Sequence, residues 1–108
     1  ILALFSSSPD FLVEEIARRL KIPFWIGTCY AVDKEEKLCH IACIVDGDYK
    51  AEFLGRLMLS QGLDQKNVTV YSDSILDMPL FERAGTKVCV NADRKLSSLC
   101  RRNNWKTL

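Results

Sequence analysis

Apolar side chains recur along this chain in two rhythms, a two-residue period and a helical one, and the switches between them mark its elements. Residues 2–5 form a short apolar strand. Ser8 and Pro9 follow as a helix-start signal, with serine as the cap and proline at the first helical position. Leu12, Val13, Ile16, Ala17 and Leu20 then share one apolar face at helical spacing, opposite Glu14, Glu15, Arg18 and Arg19. Pro23 leads into a second strand at 24–26. Residues 28–32 and 38–45 read as the arms of a β-hairpin around the charged turn 33–37. Lys50 opens a helix with Leu54, Leu57 and Met58 inward, ended by Gly62. Residues 67–71 alternate and are rich in β-branched side chains, which predicts a strand. Leu80, Phe81 and Ala84, followed by Gly85, predict a short helix with its stop. A strand at 86–91 and a final helix marked by Leu96, Leu99 and Cys100 complete the series. Strands alternating with helices predict an α/β fold with a parallel sheet and helices on both faces.

The chain has 108 residues, one domain's worth, and is read as a single domain over 1–108. Its 15 basic and 14 acidic residues leave a formal charge of +1, so nothing favours nucleic acid or an anionic membrane surface. The longest apolar runs are about five residues, against the ~20 that span a bilayer. The opening run, 1–5, lacks a basic lead and is shorter than a signal-peptide core, so the expected location is the cytoplasm. Cysteines stand at 29, 39, 43, 89 and 100, odd in number and without a C-x-x-C pair. That pattern predicts reduced, mostly packed thiols rather than a disulfide framework. Cys39 and Cys43 share a strand face that His40 does not, and no second ligand pair stands at zinc spacing.

The candidate chemistry begins with Asp73 and Asp77, four residues apart where a strand gives way to a helix. Carboxylates at the carboxyl end of a strand in an α/β domain sit where such folds hold ligands. Two hard oxygen donors there suit Mg²⁺, although Asp73 or Ser74 can equally serve as a helix cap. Ser6 ends the first strand, and Ser7 and Ser8 lead into a helix N-terminus, whose free N–H groups and dipole favour a phosphate. Plain capping by Ser8 is the competing explanation. Lys50 places a cation at a helix start, against the macrodipole, unless an anion offsets it.

This ordered set, from residues 2–11 through Ile26-Gly-Thr28 and Gly47-Asp-Tyr-Lys50 to residues 72–80, Gly85, residues 90–93, Leu96 and Trp105, resembles the haloacid dehalogenase superfamily. The match is to its subfamily IB, the phosphoserine-phosphatase-like branch with a helical cap. The resemblance implies a three-layer α/β/α Rossmann-like core with a mainly parallel sheet plus a β-hairpin. It implies a Mg²⁺-dependent phosphomonoester hydrolase working through an aspartyl-phosphate. Ser6 matches the family's phosphate-binding hydroxyl, and Ser7 is expected to lend its backbone N–H. Lys50 matches the lysine that faces the phosphoryl group and the nucleophile. Asp73 matches the direct metal ligand, and Asp77 the acid that orients a metal-bound water and pairs with the lysine. Asn91, Asp93 and Trp105 read as structural.

The family's first motif, an Asp-x-Asp that supplies the nucleophile, has no counterpart in the chain and is expected upstream of Ile1. Asp46-Gly-Asp48 has the letters, but it lies just before Lys50 rather than at the end of an initial strand. The expectation is therefore a core incomplete at the nucleophile strand, inactive alone, which self-associates or pairs with an N-terminal segment. A non-catalytic phosphate-binding or interaction module with the same fold is the alternative. Phosphoserine, other small phosphomonoesters and phospholipid head groups all remain open as substrates.

Overall fold

The alternation along the chain resolves into six strands and four helices in a computed structural model that describes all 108 residues. These elements group into two units, Ile1–Asp46 and Gly47–Leu108, each with its own three-stranded sheet.

In the first unit, β1 (Ala3–Pro9) is followed by α1 (Asp10–Leu20), β2 (Phe24–Val32) and β3 (Leu38–Cys43). β1 pairs in parallel with β2 from Ala3↔Phe24 to Phe5↔Ile26, then shifts register before Pro9↔Thr28. The further half of β2 pairs antiparallel with β3. The two segments expected at 24–26 and 28–32 are thus one strand. Gly27 punctuates the sequence there for a packing reason: a Cβ would stand 2.7 Å from the Asp10 Cα, so only glycine lets strand and helix approach so closely. The hairpin turn forms as expected, with Asp33 Oδ1 accepting from the N–H groups of Glu35 (2.8 Å) and Lys37 (2.9 Å). Glu36 takes a left-handed conformation there, at φ 63°.

The helix start differs from expectation. Pro9 stays extended, at φ −53° and ψ 138°, and still pairs with β2, so Pro9 occupies the cap position and α1 begins at Asp10. Ser8 caps nothing. Of the expected apolar face, Val13 and Ala17 are buried, while Leu12, Ile16 and Leu20 stay exposed.

The second unit runs α2 (Gly47–Gln61), a 3₁₀ turn (Gln65–Asn67), β4 (Thr69–Ser72), a second turn (Ile75–Asp77), α3 (Met78–Glu82), β5 (Thr86–Cys89), α4 (Arg94–Asn103) and β6 (Lys106–Thr107). β4 and β6 flank β5, both parallel to it. With three of the four strand pairings parallel and one hairpin, the expected mixed α/β class holds. Asn67 belongs to the turn before β4 rather than to the strand, and the two-residue β6 was too short to leave a period. Leu54, Leu57, Val70, Leu80, Phe81, Val88 and Leu96 are buried. Full burial of a side chain such as Phe81 stabilises by ~1.5–3 kcal/mol. Trp105 packs on Phe81, ring centroids 5.8 Å apart, with Lys87 Nζ over its indole. No helix is long and apolar enough to cross a membrane.

The cysteines depart from expectation. Cys89 and Cys100, both buried, form a disulfide that ties the end of β5 to α4. A short connection folds α4 back so that its buried stripe, Leu96 and Cys100, meets the inward end of β5, and an odd cysteine count carries no trace of that meeting. Cys29 and Cys43 are partly buried thiols, and Cys39 is exposed.

Gly47 and Gly62 offer a stability test. A Cβ on Gly47 would overlap the Leu76 carbonyl oxygen, whereas Gly62 (φ 63°) faces open space. Urea denaturation should show Gly47→Ala destabilised by ~1–3 kcal/mol through overpacking. Gly62→Ala should lose less, since backbone strain alone is at stake there.

Candidate active site

Along β4 the side chains alternate, with Val68 and Val70 leading to a buried Ser72, while Thr69 and Tyr71 face outward. Asp73 follows at the strand's carboxyl end, exposed, its carboxylate free of any hydrogen bond or ion pair within the chain. The next turn is capped by Ser74, whose Oγ accepts from the Leu76 N–H at 3.1 Å. That leaves Asp77 without a capping duty, although it precedes α3. Its Oδ1 receives the Lys50 ammonium at 2.9 Å and its Oδ2 the Ser72 hydroxyl at 2.5 Å. Neither acid's side chain caps a helix, although Asp77 occupies the cap position of α3.

Lys50 comes from the first turn of α2 and is buried, with only 10% of its side chain exposed, against 13% for Asp77. An ammonium held this far from water costs several kcal/mol in lost hydration, and a hydrogen-bonded carboxylate offsets it. Ser72 completes the arrangement by accepting from the Ser74 N–H (3.2 Å) while donating to Asp77. The ion pair expected between Lys50 and Asp77 is therefore formed. Asp73 sits on the same loop as Asp77, but its carboxylate makes no bond to that network.

Asp93 closes the loop from the other side. Its Oδ1 accepts from the Leu96 N–H (2.8 Å), capping α4, and its Oδ2 from the Ile75 N–H (2.9 Å). Its own N–H donates to the Asp73 carbonyl at 2.8 Å. The hydrogen bonds from Leu96 and Ile75 hold the Asp93 carboxyl below the usual carboxylate range. Asn91 is a backbone corner, left-handed at φ 48°, with its N–H on the Leu108 carbonyl.

In the first unit, Ser6 Oγ accepts from the Ser8 N–H at 3.1 Å, which leaves its own O–H free to donate. Ser7 uses its hydroxyl rather than its backbone, donating to the Val45 carbonyl at 2.6 Å. Thr28 Oγ1 takes the Val45 N–H at 3.1 Å, so Val45 is held on both of its backbone groups. Pro9 brings no side-chain cap to α1, whose first-turn N–H groups remain without side-chain acceptors, and Asp10 adds a negative charge there. Burial pushes the Cys29 thiol up, helped by the Asp10 carboxylate and the Cys43 thiol.

Two contributing residues, Ser72 and Thr28, stand in the motifs of the resemblance but carried no assigned role. Ser72 was within reach, because the alternation of Val68 and Val70 points the next even-numbered position, 72, inward as well. Thr28 carried no such signal, since its partner Val45 lies seventeen positions away. No group of three or more His, Cys, Asp or Glu side chains stands ready to hold a metal. A cation would find hard oxygen at Asp73, with Asp77 already engaged.

This fold and loop have a match in sequence. The family model of haloacid dehalogenase-like hydrolases covers residues 1–82, and the chain belongs to that family. Among curated proteins it is 36% identical over 104 residues to phosphoserine phosphatase SerB1 of Mycobacterium tuberculosis, covering 95% of this chain and 34% of that protein. The chain thus spans about a third of the length of the curated relatives it matches. Among solved structures, a haloacid dehalogenase family hydrolase of Salmonella enterica serovar Typhi superposes with a TM-score of 0.83 at 18% identity, over 98% of this chain and 36% of that one. A substrate-bound phosphoserine phosphatase gives 0.82 at 21% identity, over 91% and 47%. At these identities the structures show a shared fold.

Two measurements check the site's electrostatics. Lys50→Met strands the Asp77 carboxylate and should destabilise by up to ~3–5 kcal/mol, with Lys50→Met/Asp77→Leu recovering much of the loss. Because the Asp93 carboxyl is depressed in the folded state, its contribution is complete above the unfolded value of about 3.9 and disappears as pH falls through the lower folded value. Acid unfolding curves of Asp93→Asn should accordingly be flatter below about pH 4 than those of the wild type.

Proposed function

We propose that the chain carries the phosphate-holding and cation-binding part of a Mg²⁺-dependent phosphomonoester phosphatase. The observation that carries this reading is the buried Lys50–Asp77–Ser72 network beside an uncommitted Asp73 at the carboxyl end of β4. The donor chemistry fits Mg²⁺, a hard cation that takes one or two carboxylates and keeps several waters. Asp73 would hold it directly. Asp77, engaged on both oxygens, would act through the lysine and a metal-bound water rather than as a full ligand. Bound Mg²⁺ would supply charge neutralisation at the phosphoryl oxygens.

The chain's own residues do the rest. The Lys50 ammonium, fixed in place by Asp77, offers a positive charge to the transferring phosphoryl group. The free O–H of Ser6 donates to a phosphate oxygen, and the first-turn N–H groups of α1 favour the anion. Ser7, its hydroxyl spent on Val45, keeps only its backbone N–H for the phosphate. The nucleophile is an aspartate outside these 108 residues. Its carboxylate oxygen attacks phosphorus as the ester oxygen leaves with a proton from the second aspartate of the same Asp-x-Asp, and water, giving its proton back to that aspartate, then cleaves the aspartyl-phosphate to inorganic phosphate. The substrate is a small phosphomonoester, with phosphoserine favoured by the relatives' names. The nucleophile's segment and this chain act as one catalytic body.

In the full-length protein, Asp73→Asn should cut turnover by ~10²–10³-fold and weaken its Mg²⁺ dependence, and Lys50→Ala should cut turnover comparably. Asn91→Ala should change stability and leave turnover alone. The isolated 108-residue chain should show no metal-dependent hydrolysis of an aryl phosphate. Wild-type turnover and Mg²⁺ activation in Asp73→Asn would sink the assignment.

A further inference from the structure

Asp93 lies outside the lysine–aspartate network, yet it touches the acid-bearing loop at two points. Its N–H donates to the Asp73 carbonyl, and its Oδ2 accepts from the Ile75 N–H, so the backbone on both sides of Ser74 is pinned to one residue. Its other oxygen caps α4 through Leu96. Each oxygen has a different partner, and the two partners belong to different elements. A helix cap needs only one oxygen. Serine, threonine or asparagine would satisfy α4 as well as aspartate does. What aspartate alone supplies at this position is a second acceptor, aimed at the loop.

We infer that Asp93 is a positioning residue for the metal-binding loop, holding Asp73 where a cation can use it, an inference that rests on the reading of Asp73 as the Mg²⁺ ligand. The need for such a clamp follows from what else holds Asp73. Its carboxylate is bound by nothing in the chain, and the turn behind it is closed locally, by the Ser72 and Ser74 hydroxyls and by the Asp77 N–H on the Ser74 carbonyl. Without the Ile75 hydrogen bond the loop keeps the backbone bond from the Asp93 N–H to the Asp73 carbonyl but loses its second anchor, and a ligand that is less ordered before binding binds more weakly. Partners that orient a metal ligand without touching the metal change affinity by ~10–100-fold when removed.

The geometry allows the loop bond to be removed from either end. Asp93→Ser keeps a good cap for α4 and loses the reach to Ile75. Ile75→Pro deletes the N–H itself while leaving Asp93 and α4 untouched. Ile75 is the first residue of its turn, where proline is tolerated, and Ser74 before it is already extended at φ −124° and ψ 137°. In the full-length protein, Mg²⁺ binding measured by calorimetry should weaken ~10-fold or more in each variant. The double variant should be no weaker than the worse single one, because both remove the same bond. Excess Mg²⁺ should restore kcat in both, with KM for the phosphate ester unchanged. Melting without Mg²⁺ should stay near the wild type's in Asp93→Ser.

Asp73→Asn serves as the reference. If it abolishes Mg²⁺ binding while Asp93→Ser and Ile75→Pro bind as the wild type does, the clamp is refuted and the metal reading stands. Additive losses in the double variant would also refute it, since the two residues would then act separately. If Asp73→Asn binds Mg²⁺ normally, the metal reading falls and the clamp with it. Should Asp93→Ser fail to fold, Ile75→Pro alone decides.

Discussion

A buried ammonium must have a carboxylate, and much of the second unit follows from that demand. Lys50 can reach Asp77 only if the first turn of α2 lies against the turn that follows β4. That approach is so close that Gly47 has no room for a Cβ beside the Leu76 carbonyl. It also requires Asp77 to be free of capping, which Ser74 makes possible by capping the turn itself. Ser72 then takes the remaining oxygen from beneath, at the inward end of β4. One charge placed at a helix start fixes the identity or the duty of four neighbours.

The same logic separates two acids that look alike on paper. Asp73 and Asp77 stand one turn apart, and both read as candidate ligands, with Asp73 or Ser74 equally able to cap the helix. Asp77 is drawn to the nearest fixed cation, which is part of the protein. Asp73, without such a partner, keeps an unspent charge at the strand's carboxyl end, where α/β folds hold ligands. One carboxylate is therefore engaged within the protein on both oxygens, and the other is left unpaired. Membership of the haloacid dehalogenase-like hydrolases gives that free carboxylate a natural occupation.

What the sequence made legible was whatever rests on a period or a residue's own chemistry. The strand and helix order, the hairpin around Asp33, the inward stripe of α2 and the opposed charge at Lys50 all belong to that class. The misses depend on facts that appear only when elements meet. Pro9 reads as a helix start, but its extended pairing with Thr28 keeps it in the strand. Gly27 reads as a break and is instead the close contact that allows one long strand to pass under α1. Cys89 and Cys100 read as separate thiols because nothing local says that α4 doubles back on β5. Asp93 was legible as structural and not as a clamp, since its second oxygen reaches eighteen positions back along the chain.

The central claim is that Asp73 and Lys50 face a metal-bound phosphoryl group in the assembled enzyme. A crystal structure of the full-length protein with Mg²⁺ and a fluoride mimic of the phosphoryl group tests it most directly. The account predicts an octahedral cation about 2.0–2.1 Å from a carboxylate oxygen of Asp73, with Lys50 Nζ on the mimic and still paired with Asp77. A cation and mimic bound elsewhere, with Asp73 facing solvent and Lys50 paired only with Asp77, would contradict it.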